Sequence, residues 1–384
     1  MANDPSKHAA QRDASTELDS LRDEITRIDQ QLLRLLNQRA GLSLRVGQLK
    51  SRNQESVFKP FREKDVLKEL VQHNPGPLPE EHLAAIYREI LSSSRSLQRP
   101  QRVVYLGPEG TFSYFAGLHY LGRAADYRPR PGLEDVFRTV RNKEAELGII
   151  PLENSLQGTV GQSLDMFLRY EVYIQAEIFC KISHSLLSVS SHLEEIEVVY
   201  SHPQALQQCT MWLSTRLPQA KVVPVESTAA AAERIQGRSG EAAIAHPALS
   251  GAYGLQVLYT GIEDLPENWT RFLIIGAEVP PPGNRDKTSL LFTLPDRPGA
   301  LAGVLNLLAQ EKVNMKKLES RPSRGEKWQY VFFADLECDL SRSEYSRLLN
   351  ALEQACHSLR LLGSYPNGPH LDLLTRADVE GGSE

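Results

Sequence analysis

Between residues 16 and 98 the apolar positions recur at helical spacing. Leu18, Leu21, Ile25, Ile28, Leu32, Leu35, Leu42, Val46 and Leu49 step by threes and fours, the signature of one long amphipathic helix. A helix over 18–50 is about 50 Å long at 1.5 Å per residue. An isolated domain of about 80 residues cannot cover that length, so a partner chain is expected to bury the remainder. Two shorter helices are predicted at 62–73 and 80–98, parted by the helix-breaking "NPGPLP". From 102 the pattern shifts to short apolar runs: "RVVYLG", "AELGIIPL", "EIEVVYS", "AKVVPV", "EAAIAH" and "RFLIIG". They alternate with helical segments at 133–143, 203–216 and 228–236, an α/β arrangement expected to form two lobes. From 287 the order is strand, helix, strand, strand, helix, strand, the ferredoxin-like βαββαβ unit.

These patterns divide the chain into six parts: a disordered tail (1–15), a helical domain (16–98), a two-lobed α/β domain (102–277), a Pro/Gly linker (278–286), a βαββαβ module (287–366) and a flexible tail (367–384). Composition narrows the class. The 41% hydrophobic and 24% charged residues are those of a globular protein. The net charge of −5 provides no basic field for nucleic acid. No apolar run approaches a membrane span, and the N-terminus lacks the apolar centre of a signal peptide. Cys180, Cys209, Cys338 and Cys356 form no C-x-x-C, and the histidines show no metal-ligand spacing. Free thiols in a cytoplasmic protein, with no metal and no cofactor, are therefore expected.

Arg39 interrupts the apolar seam of the long helix. A register-setting polar residue paired to a carboxylate is one reading, and a ligand site is the other. Lys50 lies roughly 20° from Arg39 around the helix, whereas Arg22 lies about 26 Å away along it. Arg22 can join their pocket only from an antiparallel partner chain. Glu63 on the second helix and Ser94 and Gln98 on the third also fall on apolar stripes, so several polar groups point into the bundle. Cations dominate them, as a dicarboxylate ligand requires. The segment resembles the all-helical, intertwined chorismate mutases. That resemblance implies Arg22 (from the partner), Arg39 and Arg62 on the carboxylates, with Ser94 in support. It also implies Lys50 and Gln98 on the ether oxygen and Glu63 on the ring hydroxyl. Lys59 stands where family members often have an acidic residue, which leaves hydroxyl recognition to Glu63. The implied Claisen rearrangement needs a compact conformer and cations at the breaking ether, with no nucleophile.

In the α/β region "LGPEGTFS" (106–113) lacks the G-K-[ST] of a phosphate loop. Its helix start with Thr111 and Ser113 is either a carboxylate cradle or an ordinary capped terminus. "PLENSLQGTV", "SHPQALQQC" and "NWTRF" put further polar knots at strand ends, with Ser201 expected at a helix N-cap and Gln208 on a similar face. Polar knots at several strand ends are the pattern of an α/β ligand cleft. Together the four stretches resemble prephenate dehydratase. That family's two lobes enclose the site between them, like periplasmic binding proteins. The resemblance implies that Glu153, Asn154, Ser201 and Gln208 line the cleft and that Thr270, Arg271 and Phe272 are the signature. Thr270 is expected to hydrogen-bond the departing hydroxyl and Glu153 to donate a proton. For Arg271, substrate binding and a brace to the opposite lobe are both open.

"DRPGALAGVL" and "VNMKKLESRP" resemble the ACT regulatory domain of phenylalanine-inhibited dehydratases. The amides at Gly299, Ala300 and Leu301 are expected to meet an amino-acid carboxylate, with Asn314 and Ser320 holding the ligand across a domain interface. A dimerisation unit that binds nothing is the alternative. The three resemblances together imply a bifunctional chorismate mutase–prephenate dehydratase, at least dimeric and inhibited by L-phenylalanine. An arogenate-preferring dehydratase and a non-catalytic aromatic sensor are its rivals. The sensor has no use for Lys50, Gln98 and Thr270, all of which are present.

Overall fold

The structure is a computed structural model. It describes residues 5–53, 55–280, 283, 285–322 and 330–374, with side chains from residue 16 onward. Two compact units are found, one of residues 1–57 with 93–100 and one of 58–92 with 101–384.

The first unit is built on helix α1 (Pro5–Arg52), which starts well before the expected residue 18. Of the expected disordered start only 1–4 fall outside the described residues; the backbone of 5–15 is helical. The predicted stripe is real but uncovered: Ile25 is 58% exposed, Leu35 59% and Leu49 59%. The C-terminal end of α3 (Glu80–Gln98) packs on α1 through Gly47. A Cβ there would lie 2.6 Å from the Gln98 Cα, so the helices approach at backbone distance.

The second unit includes α2 (Pro60–Gln72), whose proline at the helix start needs no amide hydrogen bond. Its first lobe runs β1 (Arg102–Leu106), α4 (Phe112–Leu121), β2 (Asp126–Arg130), α5 (Leu133–Arg141), β3 (Leu147–Asn154), β4 (Gly158–Thr159), α6 (Gly161–Arg169) and β5 (Tyr173–Lys181). The chain crosses at 182–184 into the second lobe. That lobe comprises β6 (Ser185–Ser188), β7 (Val198–Ser201), α7 (Pro203–Gln208), α8 (Thr210–Arg216), β8 (Lys221–Pro224), α9 (Thr228–Arg234), β9 (Glu241–Ala245), α10 (Leu249–Tyr253) and β10 (Gln256–Thr260). A return crossing leads to β11 (Trp269–Gly276) in the centre of the first sheet. The second lobe's sheet is ordered β10-β6-β9-β7-β8.

The C-terminal module is β12 (Lys287–Thr293), α11 (Ala300–Gln310), β13 (Met315–Pro322), β14 (Tyr330–Leu336), α12 (Ser346–Ala355) and β15 (Ser358–Tyr365), the expected βαββαβ order. Its sheet is antiparallel, ordered β13-β14-β12-β15. One face carries the helices over Leu290, Phe292, Ala334 and Leu336. The other puts Leu291, Phe333 and Leu362 into one core with Leu273 and Ile275 of β11.

The expected flexible tail is corrected at its start. β16 (His370–Asp372) adds a parallel strand beside β5, so the first sheet reads β16-β5-β11-β3-β1-β2, with β4 on β3. His370 stacks on Phe179 at 4.7 Å, and Leu373 is buried. Residues 375–384 lie outside the described residues.

Candidate functional site

Thr270 is the second residue of β11, where neighbouring strands β3 and β5 fix which way each side chain faces. Thr270, Phe272 and Ile274 share one face, whereas Arg271, Leu273 and Ile275 share the other. Phe272 and Ile274 belong to the core of the interlobe side, Leu273 and Ile275 to that shared with the C-terminal module.

On the interlobe side a chain of amides converges. Asn154 Oδ1 accepts from the backbone amides of Leu156 (3.1 Å) and Gln157 (3.2 Å), which fixes its carboxamide. Its Nδ2 then donates to Thr270 Oγ1 at 3.0 Å and to Asn268 Oδ1 at 2.8 Å. Asn268, now fixed in turn, donates Nδ2 to Gln208 Oε1 at 3.1 Å. His184 Nε2 meets the same oxygen at 2.8 Å and must donate to it. Burial holds the His184 pKa below its ordinary value, against the raising effects of the Gln208 hydrogen bond and Glu263. Gln208 Nε2 and His184 Nδ1 are buried with no hydrogen-bond partner among the described residues. Phe112 at the start of α4 lies edge-on to both His184 (5.7 Å) and His246 (5.9 Å) of the second lobe.

Several expected residues stand elsewhere. Glu153, opposite Arg271 in the β3–β11 register, faces the C-terminal sheet and pairs with Lys317 at 2.8 Å. This corrects its expected place beside Thr270: in a strand, successive side chains point to opposite faces. Arg271 bonds Glu177 (2.8 Å), Asp335 and Tyr365 Oη (3.1 Å), while Lys287 bonds Glu177 at 2.7 Å. Burial opposes the Arg271 charge, but Tyr365, Asp335 and Glu177 outweigh it and raise the pKa. Arg271 is thus a brace, and its partners are in its own sheet and the C-terminal module, not in the opposite lobe. Phe272 is 2% exposed and is core, not ligand surface. Ser201 ends β7 and donates to the Ile244 carbonyl at 2.6 Å. The N-cap of α7 is His202, not Ser201. Thr111 is the N-cap position of α4, but its hydroxyl returns to the Leu106 carbonyl at 2.9 Å. Ser113 is buried in the first turn.

Sequence reasoning placed Asn154, Gln208 and Thr270 in the cleft but missed His184 and Asn268 as members of their network. Asn268 stands in the polar knot at the start of β11, and a "SHS" following strand β5 marked His184.

In the first unit Arg39 donates to Ser94 Oγ and Lys50 to the Val57 carbonyl at 3.2 Å. Gln98 Oε1 is buried without a hydrogen-bond partner among the described residues. Arg22, on the exposed part of α1, pairs with Asp19 at 3.2 Å. Arg62 is exposed and Glu63 half-buried in the first turn of α2, in the other unit.

In the C-terminal module Gly299 has φ 81° at the N-cap of α11, followed by Ala300 and Leu301. A Cβ there would meet nothing within 4 Å, so left-handed backbone, not crowding, calls for glycine. Asn314 Nδ2 donates to Glu337 at 2.6 Å, a hydrogen bond that, with Lys316, lowers the Glu337 pKa. On β13 the exposed Ser320 alternates with Lys317, Glu319 and Arg321, which face the first lobe. Glu319 bonds Thr159 (3.0 Å), and Arg321 pairs with Asp165 (3.4 Å). Among the described residues no His, Cys, Asp and Glu cluster fits a metal ion, and no helix is long and apolar enough to cross a membrane.

Family profiles match three stretches: chorismate mutase type II over 21–99, prephenate dehydratase over 103–280 and the ACT domain over 288–356. A bifunctional chorismate mutase/prephenate dehydratase of Aquifex aeolicus is 42% identical over 91% of this chain and 98% of its own. The crystal structure of a prephenate dehydratase from Arthrobacter aurescens in complex with L-Phe is 32% identical, with TM-score 0.64, over 69% of this chain and 90% of that one. A structure described as a quorum quenching acylase is 29% identical, with TM-score 0.64, over 70% of this chain and 99% of that one. The helical, two-lobed and βαββαβ parts thus follow one another as in the curated relatives, and the chain belongs to the bifunctional chorismate mutase/prephenate dehydratase family.

Proposed function

We propose that the chain rearranges chorismate to prephenate in its helical region and converts prephenate to phenylpyruvate between its two α/β lobes. One observation carries the second step. Asn154 can only donate to Thr270, so the Thr270 oxygen is an acceptor in that bond and its own proton is available to a ligand. Thr270 gives that hydrogen bond to the ring hydroxyl as it leaves. The ring carboxylate departs as CO2, its bond pair aromatises the ring, and hydroxide leaves as water after taking a proton from solvent. The free Nε2 protons of Gln208 suit a substrate carboxylate. An acylase reaction finds no activated nucleophile in these residues: Thr270 faces an amide donor, and Ser201 is spent on Ile244.

In the helical region Arg39 with Ser94 takes a carboxylate, while Lys50 and Gln98 take the ether oxygen on which negative charge builds. Arg22 reaches this site from a second copy of the chain, whose helix covers the exposed α1 stripe in a homodimer. L-phenylalanine binds the C-terminal module at the start of α11 and at Asn314 and Ser320. The L-Phe complex of the Arthrobacter dehydratase supports this reading. The protein is placed in the cytoplasm, in keeping with its free cysteines. Incubation with chorismate tests the whole: chorismate is consumed, phenylpyruvate appears, and phenylalanine slows its appearance. Chorismate loss without phenylpyruvate removes the dehydratase reading.

A further inference from the structure

Gln208 is held from two directions, and both holds come from the segments that join the lobes. His184 ends the outgoing crossing, and Asn268 ends the return crossing. The two crossings are themselves tied together. Ile182 N donates to the Asn268 carbonyl at 2.7 Å, and Glu263 accepts from His184 N (2.8 Å) and Ser183 Oγ (3.0 Å). His184 is therefore a rigid donor, packed against the edge of Phe112.

We propose that His184 is a positioning residue of the dehydratase. In its neutral form, protonated on Nε2, it locks the Gln208 carboxamide so that Gln208 Nε2 stays available to the substrate carboxylate. The hydrogen-bond directions leave one consistent arrangement. Backbone amides orient Asn154, Asn154 orients Asn268, and Asn268 demands an oxygen from Gln208. Asn268 alone leaves Gln208 on a single 3.1 Å bond with a long, rotatable side chain. The 2.8 Å bond from His184 is the second point that stops rotation. A flipped carboxamide would turn an oxygen toward the carboxylate, replacing attraction by repulsion. The buried imidazole stays uncharged, which suits a donor that must not compete with Gln208 for the anion.

The proposal rests on Gln208 binding substrate, and the variants separate the two ideas. His184→Ala is expected to raise the dehydratase KM roughly 10–100-fold with a smaller change in kcat, because a uniform binding contact is lost. Gln208→Ala should do the same, and the double variant should be no worse than Gln208→Ala. His184→Gln, whose amide nitrogen reaches the position of Nε2, should restore most of the affinity. His184→Asn, which is too short, should not. A retained cooperative calorimetric transition of the α/β region reports that the lobes of each variant are folded. An unchanged KM in His184→Ala beside a raised KM in Gln208→Ala overturns the positioning role alone. Multiplying effects in the double variant do so too. An unchanged KM in Gln208→Ala overturns the substrate-binding reading and the proposal with it. Imidazole 15N shifts of the unaltered protein give an independent arm: His184 protonated on Nδ1 instead of Nε2 refutes the lock.

Discussion

Replacing Arg271 by Met tests whether this signature residue acts on substrate or on structure. The guanidinium sits among Glu177, Asp335 and Tyr365, with Lys287 on the far side of Glu177. Two cations thus balance two buried carboxylates, and Met leaves one negative charge uncompensated. Removing one partner of a buried pair costs about 3–5 kcal/mol. Glu177 would keep Lys287 and the Gly368 amide, and Asp335 would keep Ser289. The lower end, about 3 kcal/mol, is therefore expected. At about 2–4 °C per kcal/mol for domains of this size class, the calorimetric transition of the α/β and C-terminal region should fall by roughly 6–12 °C. At 25 °C the folded variant should keep dehydratase kcat/KM within about tenfold, since its side chain is on the face of β11 away from Thr270. An unshifted transition together with a loss of about 100-fold or more in kcat/KM would refute the structural role, because that is the size of a lost transition-state contact.

Thr270→Ala should show the opposite pair of effects. Dehydratase kcat falls by about 10²–10³, while stability changes by only about 1 kcal/mol for one hydrogen bond, both read on the same preparation. Lys50→Ala should lower mutase kcat by about 10²–10³ and leave prephenate turnover intact in a direct phenylpyruvate assay. Glu153→Gln breaks a partly exposed ion pair with Lys317; it should cost about 0–1 kcal/mol and leave the dehydratase rate near wild type, and a large loss would restore the proton-donor reading. The depressed His184 pKa has a signed consequence. The unfolded chain binds the proton first, so this contribution is complete above the ordinary value of 6.5 and is lost as pH falls through the folded value. The His184→Gln variant should therefore lose less stability than wild type between pH 7 and pH 5, measured by urea unfolding.

Much of this fold is legible because its signals are local. The three-four spacing of leucines announces α1, and the strand-helix order announces the C-terminal module, since each depends on residues only a few positions apart. The stretch "HLDLL" carries no local strand signal because its strand partner is β5, far back in the chain. The N-terminal extension of α1 was missed because residues 5–15 carry polar composition without an apolar stripe.

The cleft shows the division most clearly. Sequence alone identified the residue types at the strand ends and, by resemblance, the reactions they serve. It also contained the alternation that separates Thr270 from Arg271, but not which face turns toward the C-terminal module. That choice depends on the C-terminal sheet, whose Asp335 and Tyr365 claim the Arg271 face. Likewise Asn154, Asn268, Gln208 and His184 come together only after two chain crossings place distant strands side by side. Each amide could accept or donate when read in isolation. Only the closed set of hydrogen bonds, anchored on two backbone amides, determines that Thr270 Oγ1 accepts from Asn154.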